Sequence, residues 1–193
     1  MLSSLGIDPS RIRHVQPCTR RTRWQSIVNW LTRYQPPAEG PNLEQVRGYL
    51  EAFYHLCEIE EWQRALSLML HKLDTPAQAQ LHYQLKLWGY LPEQMKLYEA
   101  LVDHVEPQWQ GRLLQFVGAV YQSQGNYDQA QTYCDRSLKI FQTAGDPVDR
   151  GMVLSHLGEI CYALGDYAAA IDYQERWLAI ASAKATPWSD WAT

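Results

Sequence analysis

Two stretches of the chain read alike: VGAVYQSQGNYDQA at 117–130 and LGEICYALGDYAAA at 157–170. Gly118 matches Gly158 and Gly125 matches Gly165, each at an offset of 40 residues. In both copies apolar residues at helical spacing run up to the second glycine, and an Asn-Tyr or Asp-Tyr step then opens another helical run holding Ala130 or Ala170. Gly125 and Gly165 let the chain turn tightly between antiparallel helices. Gly118 and Gly158, with the two alanines, are small enough for helix axes to approach closely. Self-similarity at a period of roughly 20–50 residues marks an architecture of stacked supersecondary units.

The same reading extends towards the N-terminus. Trp24, Ile27, Val28, Leu31 and Tyr34 follow the i, i+3, i+4, i+7 rule and predict a helix over 22–35, closed by Pro36-Pro37 and Gly40-Pro41. Asn42 stands three residues before Gln45, the spacing of a capping box, and Tyr49, Leu50, Phe53, Leu56 and Cys57 form the apolar stripe of a helix reaching Ile59. Trp62, Ala65, Leu66, Met69 and Leu73 continue the pattern beyond Glu60-Glu61. Thr75-Pro76 reads as a cap before a proline at the first helical position, leading through Leu81, Leu85 and Trp88 to a stop at Gly89. Pro92 opens the next helix, through Met95, Tyr98, Leu101 and Val102, and Pro107 opens another.

Composition sets outer bounds. The chain has 193 residues, 46% of them hydrophobic, with 8 Trp and 12 Tyr against 3 Phe, which excludes a chain disordered throughout. It lacks the roughly 18–20 consecutive apolar residues of a membrane helix and the apolar run of a signal peptide, so a cytoplasmic protein is expected. Cys18, Cys57, Cys134 and Cys161 are far apart with no C-x-x-C pair, as suits reduced, structural thiols. The whole chain carries a net charge of −4, but residues 1–40 hold six arginines against Asp8 and Glu39, a balance of +4 that leaves −8 on the rest. Within that basic segment, Arg11, Arg13, Arg20, Arg21 and Arg23 form a dense cluster suited to phosphates, acidic protein surfaces or the acidic body itself. An acidic body without a basic stripe argues against nucleic acid as the partner.

The quoted residues resemble the tetratricopeptide repeat, whose signature is a large residue, then Leu-Gly, Tyr, Gly, Tyr, Ala and further aromatic and small positions. The likeness is densest over 112–182. There the 40-residue spacing and the segment 145–181 are similar to the long-period repeats of the LGN and kinesin-light-chain type. Trp62 and Ala65 align with Tyr127 and Ala130, which makes 42–73 a first repeat whose turn glycine is replaced by Glu60, and 75–105 a degenerate second repeat around Gly89. Repeats at 107–143 and 147–182 follow. The expected fold is all-α: a right-handed α-solenoid of antiparallel helix pairs, with a basic arm at 1–21, a repeat domain at 22–184 made of one N-terminal helix and four pairs, and a tail at 185–193.

The resemblance implies a peptide-binding concave groove lined by the first helix of each pair, and a role as protein-binding adaptor, scaffold or assembly factor. Its groove positions fall on Arg47, Glu51 and Tyr54, then Gln80, Tyr83 and Lys86, then Arg112, Gln115, Phe116 and Gln122, and finally His156, Glu159 and Tyr162. The Lys and Asn clamp that members of the family use for a terminal carboxylate is absent. His156 stands where the long-period subclass commonly has Asn, and an imidazole there would make the grip sensitive to pH near 6–7. Trp177 occupies a position usually kept small for docking the next repeat. Trp188 and Trp191 in the tail therefore either fold back beside Trp177, form a homodimer contact or insert into a partner.

Nucleotide, zinc-protease and serine-hydrolase motifs are all missing from the sequence. His14 and Cys18 have i, i+4 spacing but form no metal site by themselves. His55 near Glu51 and Glu58, and His82 near Lys86, read as helix-surface neighbours. We therefore expect no enzyme, cofactor or metal. The rivals are a self-associating structural module and a helix-bundle enzyme, which would need a closed pocket of converging titratable groups.

Overall fold

The chain is seen in a computed structural model that describes residues 1–37, 39–144 and 146–185, with Lys184 and Ala185 described as backbone alone. The described residues form two units that divide after His104. Both are built of α-helices, as the sequence pattern demands.

In the first unit α1 (Cys18–Thr32) packs on α2 (Asn42–Glu58), α2 on α3 (Trp62–Met69), and α4 (Leu81–Leu87) on α5 (Leu91–Leu101). Val46, Leu50, Phe53 and Leu56 place the buried stripe of α2 at the predicted spacing. α1 begins four residues earlier than the periodicity from Trp24 suggests. Residues before it make two short 3₁₀ turns that bury Leu5, Ile7 and Ile12. These apolar residues hold the basic segment against the helices, and the Arg64 Nε donates to the Leu5 carbonyl at 3.0 Å.

Two local expectations fail here. Asn42 does not cap α2: it is the first helical residue, preceded by Pro41, with no side-chain bond to the helix start. No helix starts at Pro76 either. Residues 72–80 instead form a closed loop in which Lys72 pairs with Gln80, the Leu73 N–H donates to the Ala79 carbonyl at 2.9 Å and the Leu81 N–H to the His71 carbonyl at 2.9 Å. Thr75 spends its hydroxyl on Gln84 Oε1 at 2.7 Å instead of capping. Backbone pairing across the loop satisfies the Leu73 and Leu81 donors without a helical turn.

The second unit holds α6 (Pro107–Ser123), α7 (Tyr127–Ala144), α8 (Pro147–Ala163) and α9 (Tyr167–Ala185), paired α6 with α7 and α8 with α9, with α7 packed on α8. Its core joins Ala130, Cys134, Leu138 and Phe141 of α7 to Val153, Leu154, Leu157 and Ile160 of α8. The paired glycines act as predicted. A Cβ on Gly118 would lie 2.7 Å from Cys134 Sγ and 3.2 Å from the Ala130 carbonyl oxygen, and one on Gly158 would lie 2.6 Å from Gln174 Nε2. Burial pushes the Cys134 thiol up to about 12, so at neutral pH it is an inert packing group.

Every helix pair turns the same way. At α6–α7, Gly125 has φ 75°, its N–H donates to the Gln122 carbonyl at 3.0 Å, and the Asn126 N–H reaches back to the Tyr121 carbonyl at 2.9 Å. These two bonds are the Schellman closure, which needs a left-handed residue. At α2–α3 the same two bonds form around Glu60, whose φ is 61°. Its exposed side chain gains nothing from that conformation, which a non-glycine adopts at a cost of about 1 kcal/mol. Glu60→Gly is thus expected to stabilise the first unit by about 0.5–1 kcal/mol, after the extra entropy glycine loses. Denaturant titration of the two chains checks this, and a variant of lower stability would show that Glu60 has a role beyond the turn.

Candidate functional site

In the second unit, α6 and α8 lie side by side, as the first helices of successive pairs. Arg112 on α6 and Asp149 on the first turn of α8 form a bidentate ion pair, Nε to Oδ1 at 2.9 Å and an N–H of the second arm to Oδ2 at 3.0 Å. Asp149 is 5% exposed, receives a further bond from Gln108 Nε2 at 3.3 Å, and sits opposite a guanidinium stacked 4.8 Å from the Trp109 ring. Further along, Gln122 Nε2 donates to Glu159 at 3.4 Å. Gln122 and Glu159 are thus brought together, while Arg112 pairs with Asp149 instead, and both contacts tie α6 to α8. Sequence reading missed Asp149, Gln108 and Trp109. An acid three positions into a proline-opened helix signals dipole compensation at most.

Among the other second-unit candidates, Gln115 is only 3% exposed, so it is packed away and not presented. Phe116 and His156 are half-buried, while Glu159 and Tyr162 are exposed, Tyr162 at 67% and edge-on to Tyr167. In the first unit Arg47 lies on the exposed side of α2 between Glu44 at 3.2 Å and Glu51 at 3.8 Å, with half-buried Tyr54 a turn further along. Burial, with Glu93 nearby, pushes the Tyr54 hydroxyl up. α4 touches α2 and carries exposed Tyr83 and Lys86, and Gln80 precedes it half-buried.

His82 is not the surface neighbour of Lys86 that its spacing suggests. It is buried, with Nδ1 2.7 Å from the Tyr98 hydroxyl and Nε2 3.0 Å from Gln80 Oε1. An amide oxygen only accepts, so Nε2 carries the proton, Nδ1 accepts from Tyr98, and the Tyr98 oxygen in turn accepts from Gln94 Nε2 at 2.7 Å. Burial lowers the His82 pKa to about 4.

The arginine cluster divides. Arg20 pairs with Glu61 at 2.8 Å and Arg23 with Glu58 at 3.0 Å. Glu58 also meets His55 at 2.9 Å, and Arg64 joins Glu61. Arg11 and Arg13 remain exposed and Arg21 half-buried. Trp188 and Trp191 lie outside the described residues. Among the described residues no group of three or more His, Cys, Asp or Glu is placed to hold a metal ion, and no helix is long and apolar enough to cross a membrane.

The last helix pair presents a different surface. Gly158, Tyr162, Tyr167, Ala170, Ile171, Gln174, Trp177 and Leu178 bound an open cleft of about 640 Å³, edged by Glu159 and Glu175. Ile171 is 59% and Leu178 56% exposed.

Residues 110–183 match the family model of the tetratricopeptide repeat. The helix pairs of that stretch and their shared closure agree with this match. BtubC (BKLC) from P. vanneervenii is a structural neighbour at 18% identity and a TM-score of 0.52, over 87% of this chain and 75% of that one. A Podosopora anserina putative kinesin light chain with nearly identical TPR-like repeats is another, at 16% identity and a TM-score of 0.49, over 96% of each. At such identities the BtubC likeness concerns fold alone. A search of curated proteins finds no match.

Proposed function

We propose that the chain is a cytoplasmic adaptor or assembly factor that binds a peptide or protein segment on the exposed faces of the first helices of its pairs, α2 with α4 in one unit and α6 with α8 in the other. The observation that carries this reading is the α6–α8 face, where half-buried Phe116 and Gln122 on α6 and exposed Glu159 and Tyr162 on α8 are accessible, and Gln122 meets Glu159. Such a mix grips a segment by stacking and by side-chain bonds to its backbone. Repeat proteins of this family bind through these helices, and the role is binding without catalysis.

Arg112 is unsuited to a binding test, because its removal strands Asp149. A better variant combines Tyr83→Ala, Lys86→Glu and Phe116→Ala. Affinity capture from native extract is expected to yield a stoichiometric protein with the wild-type chain and several-fold less with a variant of unchanged helical circular dichroism. Equal capture by both would reject these faces as the contact. The self-association reading draws on the apolar α9 face, and sedimentation decides it.

A further inference from the structure

The 3₁₀ turns ahead of α1 hold the basic segment against the first unit and leave a cleft of about 310 Å³ beside α1 and the start of α3. One wall is apolar, made by Ile12, Val15 and Trp24, and Arg11, Arg20 and Arg64 supply the cations. Glu61 and Asp8 are the acids of the lining, so one positive charge is in excess. A cleft of this size, with apolar walls and a few convergent charges, has the form of a small-molecule site.

The arginines are held with donors to spare. Glu61 takes one guanidinium on each oxygen, Arg20 Nη2 on Oε1 at 2.8 Å and Arg64 Nη1 on Oε2. Arg64 is fixed further by its Nε bond to the Leu5 carbonyl and by the Trp24 ring, 5.4 Å from its guanidinium carbon. Its Nη2 is left beside Gly6, which lines the cleft: a Cβ on that glycine would stand 4.0 Å away. Among the described residues Arg20 makes no other side-chain hydrogen bond, and the Arg11 guanidinium makes none. Asp8 is engaged by Ser10, accepting on Oδ1 from its N–H at 2.9 Å and its hydroxyl at 2.7 Å.

We propose that this cleft binds a small monocarboxylic acid, its carboxylate on Arg11, Arg20 and Arg64 Nη2 and its apolar body against Trp24, Val15 and Ile12. One carboxylate neutralises the single excess charge, whereas a phosphate group, at close to two charges, overshoots it. Bound phosphate also draws on backbone amides, and here they are spent. The Gly6 N–H donates to the Ser3 carbonyl at 3.1 Å, that of Ile7 to Leu2 at 2.9 Å and that of Arg11 to Asp8 at 3.2 Å. Guanidinium forks match a carboxylate in geometry, and an aromatic wall favours a ligand with an apolar body. The site is separate from the α2–α4 and α6–α8 faces and stands or falls without them.

Titration of the isotope-labelled full chain with phenylacetate, followed by NMR, tests the site. Saturable shifts are expected at the Trp24 indole N–H and the Arg64 Nε–H. Acetate, which lacks the ring, and phenylacetamide, which lacks the charge, are each expected to bind several-fold more weakly. Arg11→Gln should weaken phenylacetate several-fold and Arg13→Gln leave it unchanged. Both arginines are exposed and both variants remove one positive charge from the same 3₁₀ turn, but only Arg11 lines the cleft. Absence of a saturable shift overturns the proposal, as does equal weakening by the two variants, which would reduce it to diffuse attraction of anions. Equal binding of phenylacetamide, or tighter binding of inorganic phosphate than of phenylacetate, overturns the assignment to a carboxylate.

Discussion

Arg112→Ala is expected to destabilise the second unit by about 3 kcal/mol, the usual scale for stranding a buried charge. Asp149 is almost fully enclosed, and the variant takes away its two guanidinium bonds, which Gln108 alone does not replace. The double variant Arg112→Met, Asp149→Leu is expected to recover most of the loss, because the pair's own desolvation cost disappears with it. Cys134 and Cys161, both buried in this unit, give a local readout: their labelling by a thiol reagent in rising denaturant reports the opening of α6–α9. A single-variant loss below 1 kcal/mol would mean that solvent reaches Asp149 and that the pair is an ordinary surface contact.

The second large effect is a pH dependence of the first unit. The folded-state pKa of His82 is about 4, below the ordinary 6.5, so its neutral form is the one the fold holds. The unfolded chain takes up the proton first as pH falls. Stability is therefore fully present above pH 6.5 and is lost as pH drops towards 4, by about 2 kcal/mol between pH 7 and pH 5. Protonation would also turn Nδ1 from acceptor to donor, against a Tyr98 hydroxyl that must then stop donating to it. His82→Gln keeps a polar side chain at the position and lacks the titration. The difference in unfolding free energy between wild type and variant, measured across pH 7 to 5, isolates the histidine from the carboxylates that titrate below it. A constant difference over that range would show His82 to be protonated at no cost.

Legibility along the sequence followed the strength of local chemistry. The pairs α6–α7 and α8–α9 were readable because two glycines per pair do jobs no other residue does, one at a left-handed turn and one beneath a neighbouring helix. The repeat then confirmed each by the other. Glu60 was readable as a substituted turn position, since alignment fixes the backbone even where the glycine is gone. The loop at 72–80 was not, because Thr75-Pro76 is a valid helix start in isolation and lost to pairing between Lys72 and Gln80 that no short window contains. His82 was misread for a related reason. Helical spacing relates it to Lys86, but its partner Tyr98 lies on the next helix, 16 residues away. Of the candidate site, the helices α6 and α8 were legible from the repeat, but the burial of Gln115 was not. The Arg112–Asp149 link was not, since the two residues occupy different positions of their repeats.

The central claim is that binding occurs on the first helices of the pairs, and hydrogen–deuterium exchange of the chain with and without its captured protein tests it most directly. Protection concentrated in α6 and α8, with or without α2 and α4, is the predicted result. Protection confined to residues 1–40, or to α9 and the residues beyond it, would contradict the claim.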